Sequence, residues 1–406
     1  MPLTFKIATR NLLRNKKRTL ITLSALIFNC AMLIALFAMM RYWIEQSITN
    51  ITSLAIGQVQ IHAPEYREDR SLYKSIENPE EYLAIAKAAE VAASPRAYGY
   101  GLASIDTKSA GAQYWGIEPS KERQTFRFAE YILEGKFLSD NSKQEVVIGR
   151  KLARSLNAKI GSELIAVVQA ADGSMGNEIY RVGGILQTIS EEMDRSAVIM
   201  HQNDFQELFS SAGRIHEIAL NSKNKLTSTQ VADEFNVAAK KVEIKTWEQL
   251  LPTLADMLRV SRSAMYVFSF IFFIAVGFGV LNTMLMATHD RVREYGMLKA
   301  LGTKPWRIIM DVCSEAFVLS ACAAILGSLA GVFLCFLLDT YGIDLSSMGG
   351  SMRMSGIAFD PVLRSDLKPI DIIFTIIATS ACCVLASLFP AIKAARLSPI
   401  KAMQKH

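Results

Sequence analysis

Four stretches of the chain are apolar for long enough to cross a bilayer, and their placement is lopsided. The first runs Leu20–Met40; the other three, Ala264–Ala287, Val312–Leu338 and Ile370–Ile392, crowd the C-terminal third. A helix needs roughly 20 apolar residues to cover ~30 Å of hydrocarbon. Between the first two runs, polar and apolar positions alternate in short helical and strand periods, as in a water-exposed domain. The pattern predicts a membrane protein with four transmembrane α-helices in a 1 + 3 arrangement and one large α+β domain. Expected boundaries are 1–19 for an amphipathic N-terminal helix, 20–42 for the first span and 43–260 for the α+β domain. The second span follows at 262–288, a connecting helix and loop at 289–307, and the third span at 310–339. A loop at 340–369, the fourth span at 370–392 and a tail at 393–406 complete the chain.

Charge then orients the spans. The net charge of +6 over 406 residues is not spread evenly. Residues 1–19, 289–307 and 393–406 together hold 15 basic and 2 acidic residues, so the remainder is net negative. Basic short loops mark the cytoplasmic side, which puts both termini and the 289–307 loop inside. The α+β domain and the 340–369 loop are then outside. A basicity confined to loop ends is no nucleic-acid footprint. The exit Met39-Met40-Arg41-Tyr42-Trp43 lacks a small-residue cleavage pattern, so the first run reads as a retained anchor.

Within the outer domain, Gly57–His62 reads as a strand and Pro79–Val91 as a helix. Glu145–Gly149 reads as a strand opening into the helix Arg150–Leu156. Leu164–Val168 and Ile179–Leu186 flank the turn signal Asp172-Gly173-Ser174 and read as a hairpin. Asp204–Phe209 and Thr227–Ala239 are helical in pattern and Glu217–Leu220 strand-like. Helical spacing of Leu250, Leu254, Met257 and Leu258 predicts one long helix from Trp247 into the second span.

Motifs of catalysis are missing. The sequence has no Gly-x-x-x-x-Gly-Lys-[Ser/Thr] loop for nucleotide phosphates, no Gly-x-Ser-x-Gly and no His-Glu-x-x-His. Its five histidines show no ligand spacing, and all six cysteines fall in or beside apolar runs. No catalytic, metal or cofactor residues are assigned. Inside the spans, Glu315 is the costliest polar group and must face protein or water; packing or capping is its expected role. Asn282 and the Gly-x-x-x-Gly pair Gly327 and Gly331 mark close helix packing.

The sharpest local signal is the loop His289–Trp306. Its first dozen residues suit a short helix with an apolar edge of Met297, Leu298 and Leu301, and Arg291 to Glu294 forms an i, i+3 charge pair. Gly302 is placed to end that helix, with Pro305 following. A helix lying across the inner face, apolar on one side and charged on the other, suits docking of another protein.

Here the chain resembles a known family. Val280-Leu-Asn-Thr-Met-Leu-Met286 followed by Arg291-Val-Arg-Glu-Tyr-Gly-Met-Leu-Lys-Ala-Leu-Gly302 is similar to the signature of MacB/LolC/FtsX-type ABC-transporter permeases. So are Phe389-Pro-Ala-Ile-Lys-Ala-Ala-Arg-Leu-Ser-Pro-Ile-Lys-Ala402 and the N-terminal Ala8-x-Arg-Asn-Leu-x-Arg-Asn-x-x-Arg18. In the outer domain, Gly57–Pro64, Gly116–Pro119, Leu133–Phe137, Ile148–Ala153 and Gly183–Thr188 resemble the lipoprotein-releasing LolC/LolE branch.

The resemblance implies a porter subdomain carrying a sabre-like insert at about 117–189, in a bacterial inner membrane. It implies two cytosolic ATPase subunits that hold the ATP and Mg this chain does not, and a second permease, identical or not. Arg291, Arg293, Glu294, Gly296, Leu298, Lys299 and Gly302 would then be the ATPase-coupling element. The implied work is extraction of a lipoprotein or similar amphiphile by mechanotransmission. MacB-like efflux and FtsX-like signalling to an external hydrolase are the alternatives. A periplasmic carrier or adaptor would meet a hook at the hairpin tip, here Gln169, Asp172, Gly173, Ser174 and Met175. That tip is shorter than the family's hook and has no proline or basic residue.

Overall fold

A computed structural model describes residues 16–222, 226–236, 241–344, 353–354, 357–358 and 362–398. Most of the expected 1–19 helix, much of the 340–369 loop and the tail from 399 lie outside the described residues. In chain order the elements are helix α1 (Lys16–Ile51), β1 (Val59–His62), α2 (Pro79–Ala88), the strands β2 (Val91–Ile105) and β3 (Lys108–Ile117), and α3 (Pro119–Thr125). Then come β4 (Ile132–Gly135), β5 (Glu145–Ile148), α4 (Arg150–Leu156), β6 (Glu163–Gln169), β7 (Met175–Leu186), α5 (Glu191–Ser196) and β8 (Ala197–His201). α6 (Gln202–Leu208), β9 (Glu217–Ser222), α7 (Ser228–Asn236) and β10 (Glu243–Thr246) complete the α+β part. The last four helices are α8 (Pro252–Asp290), α9 (Val292–Ala300), α10 (Pro305–Tyr341) and α11 (Pro369–Ala395).

Two compact units result. Of the described residues, one holds Gln46–Met257 with 353–354 and 357–358; the other gathers 16–45, 258–344 and 362–398. Among the described residues, four helices, those carrying α1, α8, α10 and α11, are long and apolar enough to cross a membrane. This is the 1 + 3 arrangement around an α+β domain that the hydropathy pattern predicts.

The α+β unit is built on one ten-stranded mixed sheet in the order β10-β1-β9-β2-β3-β8-β5-β7-β4, with β6 pairing β2 and β7. Its spine is the β2–β3 hairpin, ten paired positions from Arg96↔Ile117 to Ile105↔Lys108. Asp106 turns it at φ +51°, the left-handed geometry a tight hairpin needs. Pro95 lies in β2, where proline cannot donate to a ladder; β2 pairs there with β9 alone, because the β3 ladder begins one residue later. Two hydrophobic cores sit along the sheet. One packs Val59, Ile61, Tyr82, Leu220 and Phe235 between α2, α7 and the β1–β9 region. The other, including Tyr114, Leu152, Val182, Phe205 and Phe209, draws on residues from Ala97 to Phe209, reaching beyond 117–189 on both sides.

The single long helix expected from Trp247 onward is interrupted. A four-residue turn, Trp247–Leu250, is capped by Thr246 and Gln249 and ends at Leu251, with φ −127° and ψ 65°. Pro252 then opens α8. Proline crowds the residue before it out of helical geometry, so helical spacing on both sides does not make one helix.

In the helical unit, the Gly-x-x-x-Gly pair packs within the chain. A Cβ on Gly327 would lie 2.6 Å from Cys30 Cβ, and one on Gly331 would lie 3.0 Å from Ile34 Cβ. Both glycines therefore bring α10 against α1. Around this seam, Leu26, Val280, Met284, Leu319 and Cys383 form a core drawn from all four long helices, and Arg41 donates to Asp371 at 2.5 Å. Asn282 is exposed.

Candidate functional site

The strongest candidate is the segment joining α8 to α10, because its two faces do different things. α8 stops at Asp290; Arg291 leaves helical geometry with ψ 11°, and α9 restarts at Val292. Tyr295 and Gly296 are buried and Val292 and Lys299 half-buried, an i, i+3, i+4, i+7 stripe. Tyr295 packs with Ile308, Val312, Ala391, Ala394 and Ala395.

Polar contacts hold the same inner face. Arg291 Nη1 donates to Glu315 Oε2 at 2.7 Å, and both side chains are 6% exposed. Beyond the i, i+3 charge pair with Glu294 that the sequence suggests, Arg291 thus meets a carboxylate on α10. A buried guanidinium needs a desolvated acceptor, and a half-exposed carboxylate one turn away supplies less. Glu315, expected to pack or cap, is the counter-ion. Lys299 Nζ donates to the carbonyls of Ala395 and Leu397 at 2.8 and 2.7 Å. A cation there satisfies free carbonyls at the end of α11 and complements its dipole. Gly302, at φ +89°, closes α9. The Thr303 N–H donates to Leu298 O and the Gly302 N–H to Lys299 O, the two bonds of a helix terminus that turns through a left-handed residue.

The outer face is left open. Arg293 is exposed, Glu294 half-buried, and Met297, Leu298, Leu301 and Trp306 are 48%, 40%, 85% and 66% exposed. The seven residues expected to couple to an ATPase thus divide. Arg291, Gly296 and Lys299 are used inside the chain, while Arg293, Leu298 and Gly302 face outward and Glu294 lies at the boundary.

At the hairpin tip, Gln169, Asp172, Gly173, Ser174 and Met175 are all exposed. The Ser174 hydroxyl and N–H both donate to Asp172 Oδ1, at 2.6 and 2.9 Å, and lower the Asp172 pKa below the ordinary carboxylate value. The Ala171 N–H donates to Phe209 O, pinning the tip to the end of α6. The structure thus makes a short closed turn of this hairpin.

A second polar network went unread in the sequence. Arg96, 1% exposed, donates to Glu122, to Glu217 Oε1 at 2.9 Å and to Ala55 O at 2.6 Å. Its guanidinium also lies 4.2 Å from the Phe126 ring centroid. Burial works against the cation, and the facing Glu122, Tyr98 and Glu217 more than offset it, keeping its pKa above the usual guanidinium value. Arg96 follows Pro95, which hides the strand and with it the arginine's inward position.

Comparison with known proteins agrees with this architecture. Residues 19–238 match the MacB-like periplasmic core domain and residues 266–399 the FtsX-like permease C-terminal family. An uncharacterized ABC transporter permease of Methanocaldococcus jannaschii is 27% identical over 76% of this chain and 75% of its own length. The lipoprotein-releasing system transmembrane protein LolC of Neisseria meningitidis is 21% identical over 77% of this chain and 78% of its own. The macrolide export ATP-binding/permease protein MacB of Bdellovibrio bacteriovorus is 23% identical over 77% of this chain, which spans 46% of that longer protein. The chain belongs to the MacB/FtsX-like family of ABC-transporter permeases.

Proposed function

We propose that this permease subunit works with separate cytosolic ATPase subunits, which hold the ATP and Mg and dock on the outer face of residues 291–302. The observation that carries this reading is the division of α9. Its inner face is tied to α10 and α11 through Tyr295, Arg291 and Lys299, so a push on its outer face reaches two long helices. Its outer face presents Arg293 beside exposed Met297, Leu298 and Leu301, a charge next to apolar anchors of the kind protein interfaces use. The basic bias of 1–19, 289–307 and 393–406 supports placing this face and both termini in the cytoplasm of a bacterial inner membrane.

The cargo in this reading is a lipoprotein or similar amphiphile, released by ATP-driven motion of the helices. The support is the LolC relative together with the exposure of α8. Only 11% of its most apolar stretch is buried, against 50% for α1, and Phe268, Phe270 and Phe278 all face outward. That surface suits lipid, an amphiphilic cargo or a second permease copy.

Co-purification with the ATPase tests the docking. Arg293→Glu and Leu301→Asp should each lower ATPase recovery several-fold while the level of inserted permease stays unchanged, because both side chains are exposed. Ser174→Ala in the outer domain should behave as wild type. Wild-type ATPase recovery for both loop variants would exclude the 291–302 face as the docking surface.

A further inference from the structure

The α+β unit is entered from α1 and left through α8 by two junctions of opposite build, both inside Gln46–Met257. They adjoin on neighbouring strands, since Val59 of β1 pairs with Thr246 of β10 and the Trp247 N–H donates to Gln58 O at 3.0 Å.

The α1 junction is tied from several sides. α1 runs into a π-turn, Thr52–Ile56, followed by Gly57. A free helix end leaves its last carbonyls without partners, and here the sheet unit supplies them. The Gly57 N–H donates to Thr52 O and the Arg127 N–H to Ser53 O, both at 2.9 Å. Arg96 Nη1 donates to Ala55 O at 2.6 Å and Gln60 Nε2 to Ile56 O at 2.8 Å. Arg96 belongs to β2, Gln60 to β1, and Arg127 follows α3, so three parts of the unit hold one turn. Gly57 lies flat on β9: at φ +85°, a Cβ on it would sit 2.8 Å from Leu220 O. Hydrogen bonds from different directions fix orientation as well as position.

The α8 junction is broken along the backbone instead. Pro252 has no N–H to bond back to Glu248, and Leu251 before it stands at φ −127° and ψ 65°, outside helical geometry. The capped turn Trp247–Leu250 therefore stays with the sheet. The ladder of α8 starts afresh at Leu251 O, which accepts from the Leu254 and Ala255 N–H groups at 3.1 and 3.0 Å. Leu254 is buried, but apolar burial is non-directional and permits sliding. A cavity of about 550 Å³, with Ile51, Leu54, Leu250 and Leu254 in its lining, leaves room for such a shift in an otherwise close-packed interior.

We propose that the two junctions form a one-sided linkage, in which the sheet moves as one body with the outer end of α1 and pivots against α8 at Leu251–Pro252. A tilt of α1 is carried into the sheet, and a tilt of α8 is absorbed at the bend. The linkage depends on neither the ATPase-docking face nor the cargo.

Paired spin labels on the full chain in phosphatidylcholine nanodiscs test it. Nitroxides attached to an introduced ketone-bearing amino acid leave the six cysteines untouched. One pair joins Thr49, exposed near the end of α1, to the exposed Ser109 in β3; the other joins Met257, 42% exposed in α8, to Ser109. Double electron–electron resonance should give a narrow distance distribution for the first pair and one at least twice as wide for the second. Pro252→Ala restores the N–H and frees Leu251 to join the helix. It should narrow the second distribution to the width of the first and leave the first unchanged, which also shows that the unit is folded. Equal widths in the unaltered chain, or a second distribution that Pro252→Ala does not narrow, would overturn the linkage.

Discussion

Two buried arginines, one in each unit, meet carboxylates in opposite ways. Arg96 is saturated: it reaches Glu122, Glu217 and a backbone carbonyl, lies over Phe126, and joins β2, α3 and β9. Arg291 makes a narrower commitment to Glu315 and Tyr295, linking the start of α9 to α10. Two carboxylates on one guanidinium make a clamp that holds a fold. A single pair at the junction of a short helix is a joint, which with Tyr295 and Lys299 ties that helix to α10 and α11. Under the proposed docking, the difference separates a part of the molecule that holds its fold from a part that passes on a push.

The largest effect should come from the clamp. Arg96→Met leaves Glu122 and Glu217 buried without a cation, and stranding a buried charge costs about 3–5 kcal/mol. Arg96→Lys restores charge without the planar fork and should recover only part of that loss. Urea unfolding of the full chain, followed by tryptophan fluorescence, reads both. A loss below about 1 kcal/mol for Arg96→Met would show that the network is no clamp.

The joint should give a smaller and more separable response. Arg291→Gln strands one buried carboxylate, Glu315, where Arg96→Met strands two, and should cost about 2 kcal/mol. The double change Arg291→Gln with Glu315→Gln replaces an ion pair by neutral amides and should restore stability to within about 1 kcal/mol. In the proposed complex, ATP hydrolysis should stay uncoupled from cargo release in the double variant even though stability returns. Full coupling there would reduce the pair to a packing device.

The sequence made the helical framework legible for a simple reason. Spans are long, and hydropathy integrates over their whole length, so no local exception hides them. Gly302 was legible as well, because glycine followed by proline after an amphipathic turn has few other readings. The inward partners were not. Arg291 and Glu315 are 24 residues apart, and the nearer acid at Glu294 drew the local reading. Arg96 and the whole of β2 were hidden by alanine, glycine and Pro95, residues that rarely mark a long strand. The break before α8 was missed because side-chain spacing records which face is buried, whereas Pro252 acts on the backbone of the residue before it.

The finest probe of the comparison is pH, because a histidine adjoins the clamp and, among the described residues, none bridges Arg291 and Glu315. His216 Nδ1 accepts from the Tyr98 N–H at 3.0 Å and its Nε2 donates to Leu72 O at 3.1 Å, which fixes it as a neutral ring. Burial, with Arg214 and His62 nearby, holds its pKa below the usual 6.5. In the unfolded chain the ring regains its ordinary affinity for protons. Stability from this group is therefore complete above about pH 6.5 and is lost as pH falls, since the unfolded state takes up the proton first. The limiting slope is about 1.4 kcal/mol per pH unit for one group, and His62, lowered by burial as well, adds in the same direction. The urea midpoint of the α+β unit should drop between pH 7 and pH 5.5, and His216→Gln should flatten that slope even if it lowers stability throughout. An unchanged slope in His216→Gln, or a midpoint that rises as the solution is acidified, would mean that the clamp's surroundings do not exclude protons and that its rigidity has another source.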